Sequence, residues 1–204
     1  LSVALTVMVT SFRGSVTQWL DVVLPADLYA RTAKSSSGAE AMHLDHRFLN
    51  AIAALPGVQR ATGIRVSSLS LRPDQPAVAL LARPIGEGTG DDAPGRSLPL
   101  VSDAIPARPG FVSIYVSEAM VDLYDARPGT TLQLPLQAGQ PPVTAWVRAV
   151  WRDYARQQGA IVIGEADYQR LTGDTGLNDL ALHLAPEART ADLQAAIRAT
   201  AAAQ

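Results

Sequence analysis

The chain has 204 residues, 48% hydrophobic and 18% charged, with a formal charge of −2. That describes a folding chain, long enough for one large domain or two small ones. Seventeen basic against nineteen acidic residues argue against a sequence-independent nucleic-acid binder. The absence of Cys removes disulfides, thiolate zinc sites and cysteine nucleophiles, and Lys34 is the only lysine left for P-loop or Schiff-base chemistry.

The opening run from Leu1 to Val9 is apolar apart from Ser2 and Thr6. It reaches only ~14 Å as a helix, whereas a membrane span needs about 20 residues. No basic stretch or small-residue cleavage site marks a signal peptide. Two readings stand: the last turns of a transmembrane helix that begins upstream, or a buried N-terminal helix. Ser11 to Leu24 continues this helix and Pro25 ends it. Asp27 to Ala30 is a short strand, and Lys34 to Gly38 a flexible loop. Leu44, Phe48, Ile52 and Leu55 form one apolar stripe, which predicts a helix from Asp45 to Leu55 that stops at Pro56-Gly57. Val58 to Leu71 reads as a strand. Its alternation changes phase at Ser67-Ser68, which implies a bulge or two strands. Ala77 to Arg83 returns as another strand after the turn at Pro73 to Pro76.

Gly86 to Pro109 has no periodicity and reads as a boundary or long excursion. Phe111 to Val116 is a strand, and Ser117 is expected to cap a short helix running to Asp125. The segment Ala-Arg-Pro-Gly occurs at 107–110 and 126–129. Pro presets the first turn position and Gly takes the positive-φ one, so each is a type II turn candidate. Leu132, Leu134 and Leu136, then Val143, Ala145, Val147 and Ala149, alternate as a hairpin with one face buried. Pro135 places the first of these strands at an edge or a bulge. Ala160 to Ile163 and Leu180 to Leu184 are strands, and Glu165 to Leu171 is a helix. A final helix follows from Thr190, its expected cap, with Leu193 and Ile197 on one face. This order predicts an α+β fold with two lobes, the first and last segments pairing and the middle inserted.

Candidate chemistry is sparse. His43, Asp45 and His46 could begin a metal site but have no further ligand nearby, and His183 sits in a strand; a polar helix cap is the favoured reading. Gly86, Gly88 and Gly90 lack the Lys-Ser/Thr of a phosphate loop and are flanked by Glu87, Asp91 and Asp92. There is no Gly-x-Ser-x-Gly elbow. Asp91/Asp92 and Asp174/Asp179 lie in loop-like surroundings. Trp146, Trp151 and Tyr154 are close in sequence and could form an apolar contact patch, although core packing is the commoner fate. No catalytic, cofactor or metal residue is assigned.

Ser11, Phe12, Arg13, Ser15, Val16, Trp19 and Leu20 form a helix-end pattern followed by Ala26-Asp27-Leu28-Tyr29. A second helix ends on Leu55-Pro56-Gly57-Val58. Val116-Ser117-Glu118 precedes Pro128-Gly129-Thr130. A last segment carries Arg152-Asp153-Tyr154, Gly159, Tyr168, Gly173-Asp174 and Asn178. In this order they resemble the FtsX-like (MacB-type) ABC transporter permeases over nearly the whole chain; the stretch from Gly86 to Pro109 departs from the pattern.

The resemblance implies an extracytoplasmic domain between two transmembrane helices of an inner-membrane protein, on its periplasmic side. Residues 1–24 would be the membrane-proximal helix, 25–85 and 177–204 a porter-like βαβ-type lobe, and 86–176 an inserted β-rich, Sabre-like lobe. ATP hydrolysis would occur on a separate ABC ATPase subunit, and the domain itself would be non-catalytic and without a cofactor. A second permease copy or half, and a periplasmic protein, lipid or lipoprotein cargo, would be its other partners. Gly14 and Pro25 would be hinge points. The rival expectations are a periplasmic lipid- or protein-binding module using Trp146, Trp151 and Tyr154, and a soluble hydrolase.

Overall fold

A computed structural model describes residues 2–23, 26–31, 44–85 and 94–202. Pro25, His43, the expected loop at 34–38 and the acidic stretch at 86–92 lie outside these. The protein is α+β, with one mixed sheet of eight strands in the order β1-β8-β2-β3-β7-β4-β6-β5. The strands are β1 (Leu28–Arg31), β2 (Val58–Leu69), β3 (Val78–Arg83), β4 (Val112–Ser117), β5 (Thr131–Leu134), β6 (Val143–Trp151), β7 (Ala160–Gly164) and β8 (Asp179–Leu184). The helices are α1 (Ser2–Val23), α2 (His46–Ala53), α3 (Pro94–Ser97), α4 (Glu118–Tyr124), α5 (Glu165–Thr172) and α6 (Thr190–Ala202). None among the described residues is long and apolar enough to cross a membrane.

The first and last segments pair. β8 lies antiparallel between β1 and β2, and α2 and α6 cover one face of these strands. The predicted stripe of α2 buries Phe48 and Ile52 against Leu177, Leu180 and Leu182, with Leu28, Leu44 and Ile197 packed around them. Asp45 is the N-cap: its carboxylate accepts from Phe48 N–H at 2.7 Å, which satisfies one of the orphan donors at a helix start.

The other half of the sheet is covered on both faces. Val78, Leu80, Ile114, Val116, Ile161 and Ile163 point into one cluster with Met120 of α4 and Tyr168 of α5. Leu81, Tyr115, Ala149, Trp151 and Val162 point into the other. This second face is closed by residues 98–105, within the stretch read as a long excursion. Leu98, Leu100 and Ala104 lie on it, and Val101 and Ile105 donate to the carbonyls of Val150 and Arg148. Aperiodic sequence there serves as a cover over the sheet, a job that needs apolar residues but no repeat.

Two further expectations change for the same reason. β2 is one strand with no bulge at Ser67-Ser68, and its pairing with β3 runs unbroken from Arg65 to Leu69. The phase shift arises because Val66 serves one cluster and Leu69 the other. The hairpin is not buried on one face only. The β4–β6 register slips between Ile114 and Tyr115, leaving Arg148 unmatched. Ala145 and Val147 therefore face one core, while Ala149 and Trp151 face the other. Such a slip re-aims every following side chain.

Both Ala-Arg-Pro-Gly turns form. Gly110 and Gly129 have φ of 82° and 89°, and Phe111 and Thr130 donate to the Arg108 and Arg127 carbonyls. β5 is the outer strand on its side and ends just before Pro135. Ser117 stands at the N-cap position of α4 but makes no capping bond. Its hydroxyl instead accepts from Ala160 N–H at 2.9 Å, in the core, tying α4 to the start of β7.

Candidate functional site

The structure does not gather Trp146, Trp151 and Tyr154 into one surface. Trp151 is 2% exposed and belongs to the core, so it offers a partner no surface. Its neighbour across the sheet is the isolated bridge at Leu100. Tyr154, past the end of β6, is 51% exposed. Trp146 is half-buried and has neighbours that the sequence reading missed. The Arg108 guanidinium lies 5.1 Å from the Trp146 ring and 4.7 Å from that of Phe111. The Trp146 indole N–H donates to the Pro106 carbonyl. Gly14 lies within an unbroken α1, with open space where a Cβ would stand.

The sheet instead places a polar network where its halves meet. β2 pairs with β8 up to Ile64 and with β3 from Arg65. At the changeover, the side-chain amide of Asn178 accepts from Val66 N–H at 2.7 Å and donates to the Val66 carbonyl at 2.6 Å. One side chain thus does the work of a paired strand residue, and Val66 keeps both backbone bonds where β8 has ended. On one face, Arg65 pairs with Asp174 at 2.8 Å and Tyr168 donates to the same carboxylate oxygen at 3.1 Å. Burial pushes the Asp174 carboxyl up, but the Gly176 N–H, Arg65 and Tyr168 together hold it below its ordinary value. The Tyr168 hydroxyl is raised by burial and by the Asp174 charge.

On the other side a groove of about 780 Å³ runs past Arg31, Val66, Ser68, Arg156, Asn178 and Asp179. Arg31 makes a two-pronged bond to Asp179, both distances 2.7 Å, and Arg156 is held by Asp153. A third link joins helices across the halves: His46 of α2 lies 3.7 Å from Glu165 and 3.3 Å from Gln169, both on α5. Among the described residues no group of three His, Asp or Glu could hold a metal ion. The arrangement is one of pairing and anchoring.

The lowered Asp174 sets a pH dependence. A carboxyl whose folded value lies below its unfolded one stabilises fully above the unfolded value, about 3.9, and loses that contribution as pH falls toward the folded value. The urea midpoint of the wild type should therefore exceed that of Asp174→Asn at neutral pH, with the gap closing below about pH 4. A gap independent of pH would contradict the network.

No protein-family model matches the chain. Its sequence is 29% identical over 197 residues to an uncharacterized ABC transporter permease protein of Mycobacterium tuberculosis, covering 95% of this chain and 22% of that protein. The fold matches the crystal structure of the periplasmic region of MacB from Actinobacillus actinomycetemcomitans, with a TM-score of 0.56 at 12% identity, over 86% of this chain and 82% of that one. It also matches the extracellular domain of the ABC-type transporter YknZ from Gram-positive bacteria, with a TM-score of 0.51 at 12% identity, over 83% of this chain and 86% of that one. The chain has the fold of the MacB-type extracytoplasmic domain and a sequence similar to an ABC transporter permease.

Proposed function

We propose that this chain is the extracytoplasmic domain of an ABC transporter permease, and that it transmits motion of flanking membrane helices to an outboard surface. One observation carries the reading: β1 and β8, from opposite ends of the chain, pair directly, and α6 packs beside α2 on the same three strands. A pull on either end therefore acts on one half of the sheet. From there it passes to the other half through β2, which belongs to both.

The three apolar clusters support a division into two lobes. The half formed by β1, β8 and the start of β2 is the porter-like lobe. The Sabre-like lobe, 86–176, holds β4 through α5, and the rest of β2 with β3 joins it to the porter-like strands, β3 pairing with β7. α1 fits a membrane-proximal place. Val7, Met8, Val9 and Phe12 are all exposed, and at ~100° per residue they spread over an arc of about 200°, wider than the apolar stripe of about 100° that a surface helix lays on a core. Such a helix has no single face to lay on a soluble core. Gly14 is its candidate flexing point, and Pro25, outside the described residues, is the second hinge candidate.

ATP hydrolysis belongs, on this reading, to a separate ATPase subunit, and a second permease copy or half completes the transporter. The half-exposed Trp146, with Phe111 and Arg108, and the exposed Tyr154 are then the candidate contacts for a periplasmic protein, lipid or lipoprotein. The test replaces residues 26–202 by a short Gly/Ser linker in the full-length protein. Assembly with the ATPase in membranes should persist while the transport or regulatory output is lost. Output that survives the replacement would refute the reading.

A further inference from the structure

Among the described residues β1 is the outer strand of the sheet, and its outer edge borders a groove of about 380 Å³ against α6. The pairing fixes which backbone groups face that groove. Asn178 N–H donates to the Ile64 carbonyl, and the Asn178 side chain bonds both backbone groups of Val66. Even-numbered residues of β2 thus direct their backbone groups toward β8. The register Ile64↔Asp179 and Thr62↔Ala181 then turns odd residues of β8 toward β2, and even ones toward β1. Leu28 and Ala30 engage Leu182 and Leu180. The N–H and C=O of Tyr29 and Arg31 are left pointing out of the sheet, beside the groove.

Below this edge the groove has an apolar floor of Leu28, Ala30, Leu44, Phe48 and Ile197, and its α6 side carries Arg198. Arg31 is already committed to Asp179. Arg198 is exposed and has no acidic partner among the described residues. An open strand edge facing a helix across an apolar trough is suited to an extended peptide. Main-chain bonds supply affinity, and alternate side chains drop into the trough.

We propose that this groove takes an extended segment of a partner protein as an added strand beside Tyr29 and Arg31. Apolar side chains at alternate positions enter the trough, and an acidic side chain meets Arg198. The proposal stands on the edge and groove alone and does not depend on the transporter reading.

The test selects random octapeptides displayed on phage against the protein and measures the resynthesised binders, with capped ends, by titration. Selected peptides should alternate apolar residues and carry an acidic one. Proline suits an edge position whose N–H faces outward, so Tyr29→Pro removes one intermolecular bond and leaves the β8 ladder intact. It should weaken binding at least about tenfold, while Tyr29→Phe leaves it unchanged. Arg198→Glu, an exposed change that spares the fold, should abolish the acidic preference. The absence of any selected pattern would overturn the proposal, as would binders indifferent to both Tyr29→Pro and Arg198→Glu. So would a fatty-acid probe occupying the groove when no peptide does. Slow exchange of the Tyr29 and Arg31 amides in the free protein would mean that the chain covers its own edge, which also overturns it.

Discussion

Gly159→Ala is expected to lower the melting temperature by roughly 5–15 °C, the scale for a few kcal/mol in a chain of this size. Gly159 ends the bend before β7 with φ of 99°. Its carbonyl accepts from Ala79 N–H at 3.0 Å, where β3 and β7 begin to pair. A side chain at positive φ costs about 1–2 kcal/mol. The new Cβ would also stand 2.6 Å from Met120 Sδ and 3.4 Å from Val78 Cγ1. Met120 is completely buried, and crowding in a filled core costs about 1–3 kcal/mol. The two contributions separate in a double variant. Met120→Ala removes the crowding, so Gly159→Ala in that background should cost less by the crowding share alone. Thermal melts of the four proteins decide this, and a Gly159→Ala protein as stable as the wild type would contradict both arguments.

What was legible in the sequence was whatever a local period or a turn rule encodes. The α2 stripe could be read because Phe48 and Ile52 recur at helical spacing and bury one face only. The two Arg-Pro-Gly turns could be read because Pro and Gly each fix a backbone angle. Alternation failed on β2 and β6 because the second half of the sheet is covered on both faces. When Val66 and Leu69 each have a core to enter, period two no longer names an inside. Trp146 and Trp151 look alike in sequence, and the slip at Arg148 turns both to one face of the sheet; they differ because Trp151 is buried beside Leu100 while Trp146 lies half-buried beside Arg108 and Phe111. The network at the changeover had no local signal. Asn178 and Val66 are 112 residues apart, and Arg65 and Asp174 are 109 apart. Only the pairing of the chain's two ends brings them together. Asn178 and Asp174 did stand among the residues carrying the permease resemblance, and their bonds give a physical reason for those residue types there.

On the proposed reading, linking α2 to α5 covalently should abolish the output of the full-length protein. The two halves are joined unequally. Along β2 they share a continuous backbone, reinforced by the Asn178 amide and by Arg65–Asp174. Between α2 and α5 the described link is polar and partly solvated: His46 and Glu165 have side chains 43% and 24% exposed and lie 3.7 Å apart. Exposed pairs of that kind are worth about 0–1 kcal/mol, so the helices can part at little cost while β2 bends. On that reading the hinge lies at Ile64–Arg65 and the opening side at His46 and Gln169. The chain has no cysteine of its own, so His46→Cys with Gln169→Cys gives one defined pair within this domain for a short, cleavable bis-maleimide. Cross-linked protein should lose its output by about tenfold or more, the effect of holding one of two states, and regain it when the linker is cleaved. Each single-cysteine variant should respond to neither treatment. Full output from the cross-linked protein would mean that the halves move as one body, and that any transmitted motion occurs outside the sheet.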